Sequence, residues 1–296
     1  MIIEDSAGVT SAVLQALDST TNPRAKQIMH ALIRHAHAFA QEVQLTEEEF
    51  EYGIEFLNRI GQQTNDVHNE AILFSDTIGF STLVCLMNNG KNGSTETAAA
   101  LLGPFWRMRS PKTDNGGSIV RSDTPGPVLF ADCLIKDQEG NPLAGVEVDV
   151  WQSSPIGLYE NQDETQADMN LRGKFITDAQ GRFAFRSVKP AGYPIPMDGP
   201  VGDMIRAQNR RHYRPAHIHF LCFKEGFKTL VTQVFVDDDR DLESDVVFGV
   251  TRALIGQFDH HTGPAPEADV KGDWYSLRYT FVMEKGLAKL PHPPIK

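Results

Sequence analysis

The chain has 296 residues, of which 41% are hydrophobic and 23% charged, and its formal net charge is -11. These proportions are ordinary for a globular protein and exclude a fibrous or disordered chain, while the acidic balance disfavours nucleic acid, whose phosphates bind lysine and arginine. Three cysteines without close spacing give no disulfide framework.

The first third of the chain has the periodicity of amphipathic helices. Apolar residues recur every three or four positions over 23–44, and the proline at its start suits a first helical turn. A threonine followed by three glutamates predicts the start of a second helix over 47–62. A third helix is predicted over 65–87. We therefore expect a helical domain over residues 1–103.

The character of the sequence changes near residue 103, where prolines, glycines and short alternating runs begin. Such runs, separated by turn residues, predict β-strands, and many short strands with little helix between them are typical of a sandwich or barrel. The predicted strands are 118–122, 128–135, 146–151, 181–188, 217–223, 232–236 and 276–283. We predict an α+β protein in which an antiparallel β-sandwich domain over 104–296 follows the helical domain.

The most specific local pattern is RPAHIHF, which contains His217 and His219. Residues two apart on a strand face the same side of a sheet, and neutral imidazole is the commonest metal ligand. The pair predicts a metal site, although two histidines on a polar sheet face would give the same pattern. Zinc sites add cysteine, histidine or a carboxylate, and ferrous oxygenases add one carboxylate. Asp203 is a candidate for that carboxylate.

Two tyrosines lie in turn-rich segments, Tyr159 in PIGLYEN and Tyr193 in PAGYPIP. Either one alone is more often a packing residue with a polar tip. A phenolate, however, is a hard anionic oxygen donor, and two phenolates with two imidazoles would suit a trivalent iron ion. Such an ion would act as a Lewis acid that binds and activates an organic substrate.

Over most of its length, from about residue 66 to residue 279, the sequence resembles the intradiol ring-cleaving dioxygenases. The resemblance depends on motifs that occur in the family's order: LLGPFWR, GVEVDVWQ, GLY, TDAQGRFAFRSV, GYPIPMDGPVG, RPAHIHF and TQVF. It implies that one non-haem iron(III) per chain is bound by Tyr159, Tyr193, His217 and His219. It also implies that dioxygen is used to split an aromatic ring between two adjacent hydroxyl-bearing carbons.

The resemblance assigns roles to three residues near the iron. Tyr193 would leave the metal and act as a base towards the substrate diol, and Arg214 would stabilise negative charge that develops on the substrate. Gln233, in TQVF, matches a family glutamine beside the metal. Because Arg214 precedes His217 by three residues, it would face away from His217 on an extended strand unless the chain bends at Pro215.

Two segments resemble the hydroxyquinol-cleaving members of the family more than the catechol-cleaving ones, namely GYPIPMDGPVG and EAILFSDTIG. In the second, Leu73 and Asp76 would face the ring, where an acidic side chain can accept a hydrogen bond from a third hydroxyl. The rest of the pocket wall is predicted at Leu102, Gly103, Pro104, Phe105, Ile195, Pro196 and Val247. We expect hydroxyquinol (benzene-1,2,4-triol) to give 3-hydroxy-cis,cis-muconate or maleylacetate. Catechol or chlorocatechol, giving a cis,cis-muconate, is the alternative.

The resemblance also implies a homodimer joined through the N-terminal helices, with a phospholipid as a candidate ligand of that interface. No stretch approaches the roughly 20 apolar residues of a membrane span and no secretory signal is evident, so we expect a cytoplasmic protein. The residues alone leave two other classes open. One is a non-catalytic, transthyretin-like β-sandwich binding module, because NPLAGVEVDVW and TDAQGRFAFRSV form a hairpin pattern found in such modules. The other is a zinc hydrolase, although the usual HExxH helix is absent from the sequence.

Overall fold

The computed structural model describes residues 2–66, 68–89 and 96–294. The chain divides into two compact units, residues 1–58 and residues 59–296. The boundary predicted at residue 103 separates a helical from a catalytic region, and it stays a prediction.

The N-terminal helices begin where the sequence supplies capping groups. They are α1 (Ser6–Leu17), α2 (Pro23–Glu42) and α3 (Glu47–Gln63). The Asn22 side chain accepts hydrogen bonds from the first backbone N–H groups of α2, and Thr46 and Glu49 exchange capping bonds at the start of α3. The helices predicted over 23–44 and 47–62 are confirmed. Helix α1, capped by Asp5, was not predicted.

The third predicted helix, over 65–87, is wrong as a single element. Two helices occupy this region, α4 (Glu70–Thr77) and α5 (Phe80–Asn88). Gly79 breaks the run because its φ of +73° is a left-handed conformation that suits glycine. Among the described residues no single helix is long and apolar enough to cross a membrane. Only α4 and α5 taken together, with a bend of 77° between them, meet that test.

The larger unit contains two main sheets and one short one. The strands are β1 (Val128–Asp137), β2 (Glu147–Gln152), β3 (Arg172–Ile176), β4 (Arg182–Val188), β5 (Tyr193–Pro194), β6 (Tyr213–Arg214), β7 (His217–Phe223), β8 (Leu230–Val236), β9 (Ile255–Gly256), β10 (Phe258–His261) and β11 (Trp274–Met283). One sheet has the order β3-β2-β7-β8-β9, another β10-β11-β1-β4, and β5 pairs with β6. A further helix, α6 (Pro200–Ala207), lies between β5 and β6 and was not predicted.

The sheets are mixed rather than purely antiparallel, which corrects the predicted topology. Strand β1 runs parallel to β11, and β8 runs parallel to β9. Long connections permit parallel pairing, and a strand pattern in the sequence does not reveal it. The run predicted as a strand over 118–122 forms only an isolated bridge, from Ser118 to Arg186.

Both main sheets contribute side chains to one buried cluster. Every second residue of β1 is buried, as expected for a strand with one face on a core. The cluster includes Leu129, Cys133, Val148, Val150, Phe183, Phe185, Ile218, Phe220 and Phe281. Strand β7 lies between β2 and β8 inside its sheet, so the residues that it carries are held by hydrogen bonds on both sides.

Candidate metal centre

Strand β7 carries the histidine pair, as the sequence predicted. Both imidazoles are buried, and the Nε2 atoms of His217 and His219 lie 3.0 Å apart. The Nδ1 atom of His217 lies 2.7 Å from the Pro215 carbonyl oxygen, to which it donates. The Nε2 lone pair of His217 therefore faces the other side chains of the site.

Two phenol groups meet this pair. The Tyr159 hydroxyl oxygen lies 3.1 Å from Nε2 of His219, and the Tyr193 ring lies next to the rings of Tyr159 and His217. The two phenol rings meet edge to face with centroids 5.5 Å apart. Gly157 permits this approach, because a Cβ there would lie 3.1 Å from Cβ of Tyr193. Thus the four residues predicted as metal ligands are brought together.

Burial controls the protonation of all four groups. Loss of solvation raises the pKa of Tyr159 well above its ordinary value, and it also raises the pKa of Tyr193. The same burial lowers the pKa of His217 and His219 well below the usual value for histidine. Both imidazoles are therefore neutral at pH 7, which is the form that binds metal ions.

The spacing of the donor atoms matches that of ligands around a single ion. Donors about 2.1 Å from a shared metal lie about 3 Å from one another, close to the two distances measured here. Within residues 2–66, 68–89 and 96–294, no group of three or more histidine, cysteine, aspartate or glutamate side chains could hold a metal. Asp203, a candidate ligand from sequence, instead pairs with Arg59 and Arg206. Tyr159 and Tyr193 are therefore the candidates for further ligands beside the histidine pair.

Arg214 lies beside the histidines because the chain changes sheet at Pro215. Arg214 belongs to β6, where it pairs with Tyr193 of β5, and His217 begins β7 in another sheet. The Nη1 atom of Arg214 consequently lies 3.4 Å from Nε2 of His217. Burial lowers the pKa of Arg214, but the Asp245 carboxylate and the phenol groups of Tyr193 and Tyr159 together raise it more, so the net shift is upward and the guanidinium stays charged.

Gln233 lies opposite His219 in the pairing of β7 with β8. Its Oε1 atom accepts a hydrogen bond of 2.9 Å from Nη2 of Arg214, and its Nε2 donates to the Leu101 carbonyl at 2.6 Å. The Gln233 side chain therefore contacts Arg214 and Leu101, the residue just before the predicted pocket wall.

Comparison with known proteins decides the family. The family model described as Dioxygenase matches residues 101–284, and the one described as Catechol dioxygenase N terminus matches residues 22–96. The hydroxyquinol 1,2-dioxygenase of Rhizobium sp. (strain MTP-10005) is 40% identical over 92% of this chain and 93% of its own. The chain belongs to the intradiol ring-cleavage dioxygenase family. This membership decides against the binding module and the zinc hydrolase.

Two further similarities extend over most of this dioxygenase. The catechol 1,2-dioxygenase of Candida albicans is 40% identical over 86% of this chain and 84% of its own. The solved structure of a hydroxyquinol 1,2-dioxygenase from Pseudomonas putida DLL-E4 superposes with a TM-score of 0.87 at 38% identity, covering 95% of this chain and 99% of that chain. The protein is therefore an intradiol dioxygenase along nearly its whole length.

The predicted pocket residues of the dioxygenase fall into two groups around the centre. Leu73, Ile195 and Val247 pack together in one buried cluster. Phe105 stacks on the Tyr159 ring at 4.4 Å, and a Cβ at Gly103 would lie 3.3 Å from Cε1 of His219. Three members of the predicted wall are half-buried, namely Leu102, Pro104 and Pro196. Their place in the pocket stays a prediction.

Three buried residues of the centre were not predicted. Trp151 stacks on His219 with ring centroids 4.6 Å apart. Arg172 donates to Glu160 and to the Phe105 carbonyl, so it ties the segment after Tyr159 to the pocket wall. Asp245 pairs with Arg214. GVEVDVWQ contains Trp151, but only the strand register places it opposite His219, and no local pattern marks the other two.

Asp76 of α4 is buried, and its environment opposes ionisation. Burial raises its pKa from 3.8 to about 6, and Asp245 adds to the rise, whereas a hydrogen bond with Ser81 and the charge of Arg214 oppose it. Because the pKa is higher in the folded than in the unfolded chain, ionised Asp76 destabilises the fold as the pH rises through about 6.

Replacing Asp76 with asparagine should therefore stabilise the protein in a pH-dependent way. The free energy of unfolding should rise by up to about 3 kcal/mol at pH 8, because about two pKa units of penalty disappear, and should change little at pH 4. Urea denaturation at the two pH values measures the difference. An equal gain at both would mean that the fold does not disfavour the ionised carboxylate.

Proposed function

We propose that this dioxygenase cleaves hydroxyquinol between its two adjacent hydroxyl-bearing carbons at a non-haem iron(III) ion. Both atoms of dioxygen enter the product, 3-hydroxy-cis,cis-muconate, which is a tautomer of maleylacetate. The choice of the triol depends on one observation, the buried carboxyl group of Asp76. Its charge interacts with those of Arg214 and Asp245 beside the centre.

Iron(III) is the metal that best fits the donor set. Tyr159, Tyr193, His217 and His219 would hold it, since two phenol side chains and two neutral imidazoles are close together there. Phenolate is a hard anionic donor and favours a trivalent ion over a divalent one. When bound, the ion supplies Lewis acidity towards the substrate diol.

The protein's own residues supply proton transfer and charge stabilisation. As a phenolate, the form that a bound iron(III) would favour, Tyr193 accepts a proton from a substrate hydroxyl and becomes a phenol. The Arg214 guanidinium, whose Nη1 lies 3.4 Å from His217, stabilises negative charge that develops on the ring carbons. Gln233 orients Arg214 through its 2.9 Å hydrogen bond. Burial of all of these groups strengthens their electrostatic effect.

Asp76 supports recognition of a third hydroxyl. A buried carboxylate without a matching donor costs free energy, so a pocket that contains one disfavours a diol lacking that hydroxyl. Leu73 on the same helix and Val247 pack in one apolar cluster, which would contact the ring. Hydroxyquinol is the substrate in the name of the Rhizobium relative, and catechol in the name of the Candida albicans relative. Catechol or a chlorocatechol is therefore the alternative.

Turnover of the two substrates by Asp76 variants tests this assignment. The unmodified enzyme should prefer hydroxyquinol over catechol in kcat/KM, and Asp76→Ala should reduce that preference by about 10- to 100-fold, the value of one buried charged hydrogen bond. Asp198→Asn, which removes an exposed carboxylate from the GYPIPMDGPVG loop, is the matched control. Equal use of both substrates by the unmodified enzyme, with no response to Asp76→Ala, would refute the hydroxyquinol assignment.

We also propose that the N-terminal helices join two chains in a homodimer. None of the described residues of α2 is buried, and apolar side chains on α2 and α3 are exposed, among them Leu32, Phe39, Phe50 and Leu57. Such a surface favours a protein or lipid partner, so a phospholipid is a further candidate ligand. A monomer in sedimentation equilibrium would contradict the dimer. We also propose that the two main sheets form a layered sandwich, that the helical and catalytic regions divide at residue 103, and that the protein is cytoplasmic.

A further inference from the structure

The guanidinium of Arg214 has its donors divided between two sides. Arginine carries five N–H groups, one on Nε and two on each terminal nitrogen. Nε lies 3.2 Å from Oδ1 of Asp245, and Nη2 lies 3.3 Å from Oδ2 of Asp245 and 2.9 Å from Oε1 of Gln233. Nη1 points the other way, towards Nε2 of His217. Nη1 is therefore the nitrogen that contacts neither Asp245 nor Gln233 and lies beside His217.

Asp245 is itself held rigidly on the loop between β8 and β9. Its side chain is buried, and its two oxygens accept hydrogen bonds from the backbone N–H groups of Val247 at 3.4 Å and Gly249 at 2.9 Å. Val247 belongs to the predicted pocket wall. The carboxylate therefore links that wall to the arginine.

Gly249 packs closely against the contact between Asp245 and Arg214. A Cβ there would lie 3.0 Å from Nη2 of Arg214 and 3.1 Å from Oδ2 of Asp245. Such contacts are tighter than is usual for a Cβ atom, so a larger residue would push the ion pair away from its observed position. The loop and the arginine are therefore closely packed at this point.

We propose that Asp245 is a positioning residue of the ring-cleavage reaction. Together with Gln233 it occupies Nε and Nη2 of Arg214 and leaves Nη1 as the nitrogen that meets the substrate. Without the carboxylate, the buried guanidinium would have an uncompensated charge. It would turn towards the nearest oxygen anions, those of the tyrosines or the substrate, and Nη1 would leave its place. This inference depends on the proposed role of Arg214.

Asp245→Asn is the direct test, because it keeps the shape and removes the charge. We expect kcat to fall about 100-fold, the usual effect of a misplacement near 1 Å. We expect three properties to stay within about twofold of the unmodified enzyme: iron content, the visible absorption of the iron-tyrosinate centre and anaerobic hydroxyquinol binding. A twofold change is much smaller than a tenfold change in affinity. Asp241→Asn is the matched control, since Asp241 is also buried and paired with an arginine, Arg211, away from the centre. Comparable losses in both variants would overturn the positioning role.

Gly249→Ala tests position without a change of charge, and it keeps the proposal testable if Asp245→Asn does not fold. The added methyl group should displace Arg214 and lower kcat by about tenfold or more, with iron retained. Gly263→Ala, where a Cβ meets nothing within 4 Å, should leave kcat unchanged. Full activity of Gly249→Ala would overturn the proposal.

A double-mutant cycle separates this inference from the role of Arg214. If Asp245 acts through Arg214, the variant with both Arg214→Met and Asp245→Asn should be no slower than Arg214→Met alone. Independent, multiplying losses would overturn the positioning role while leaving Arg214 as a functional residue. Unchanged kcat in Arg214→Met would instead refute the role of Arg214 in the proposed function.

Discussion

Replacing Tyr193 with phenylalanine should lower kcat by about 10²- to 10⁴-fold, the usual contribution of one general base, while iron stays bound. The change removes only the hydroxyl oxygen that would take the substrate proton. The ring would keep its edge-to-face contact with Tyr159, so the fold of the centre should persist. Tyr159, His217 and His219 would remain as ligands. Stopped-flow turnover and iron analysis of the same preparation measure the two effects separately.

The matched control for this variant lies on the paired strand. Tyr213→Phe removes a hydroxyl from β6, which pairs with β5 where Tyr193 lies, and Tyr213 is not among the four converging side chains. It should leave turnover unchanged. Normal turnover in Tyr193→Phe would refute the role of Tyr193 as a base. Loss of iron together with turnover would instead make Tyr193 a necessary ligand rather than a ligand that is released.

Replacing His219 with alanine should abolish iron binding and with it all turnover. His219 contributes Nε2, which lies within about 3 Å of both His217 and Tyr159. Loss of a group that merely supports a ligand weakens metal binding about 10- to 100-fold, so loss of the ligand itself should cost at least as much. A purified iron(III)-tyrosinate protein should be red to burgundy, and the variant should be colourless by absorption spectroscopy and iron-free by elemental analysis.

His261→Ala is the control for His219→Ala. His261 also stacks on a tryptophan, Trp274, with centroids 3.9 Å apart, but in the sheet that contains β10 and β11. Its removal therefore costs similar stacking without touching the centre. Colour and full turnover should remain in that variant. An iron-containing, coloured His219→Ala protein would contradict the four-ligand centre.

Local pattern predicted the histidine pair better than any other part of the site. The side-chain period of a strand is two, so HIH puts both imidazoles on one face wherever that strand lies. The tyrosines had no such warrant of their own, because Tyr159 lies in a loop and Tyr193 on the two-residue strand β5, and distant contacts decide where both point. Their inclusion depended on the order of motifs shared with the family.

The helices show the same limit of local pattern. The boundaries of α2 and α3 follow from capping groups next to them in the chain. The predicted helix over 65–87 failed because apolar spacing continues through the region, while Gly79 turns the backbone at its middle. Asp76 precedes that turn and is buried, and only packing decides burial.

By itself the sequence determined helices α2 and α3, the strand that carries the histidines and the family to which the motifs belong. Tertiary structure alone decided that Arg214 faces His217, because the chain passes from one sheet to another at Pro215. It alone brought Asp245 to Arg214 and Trp151 to His219. These contacts join residues far apart in the chain, and their formation depends on strand register and loop packing, which no local propensity encodes.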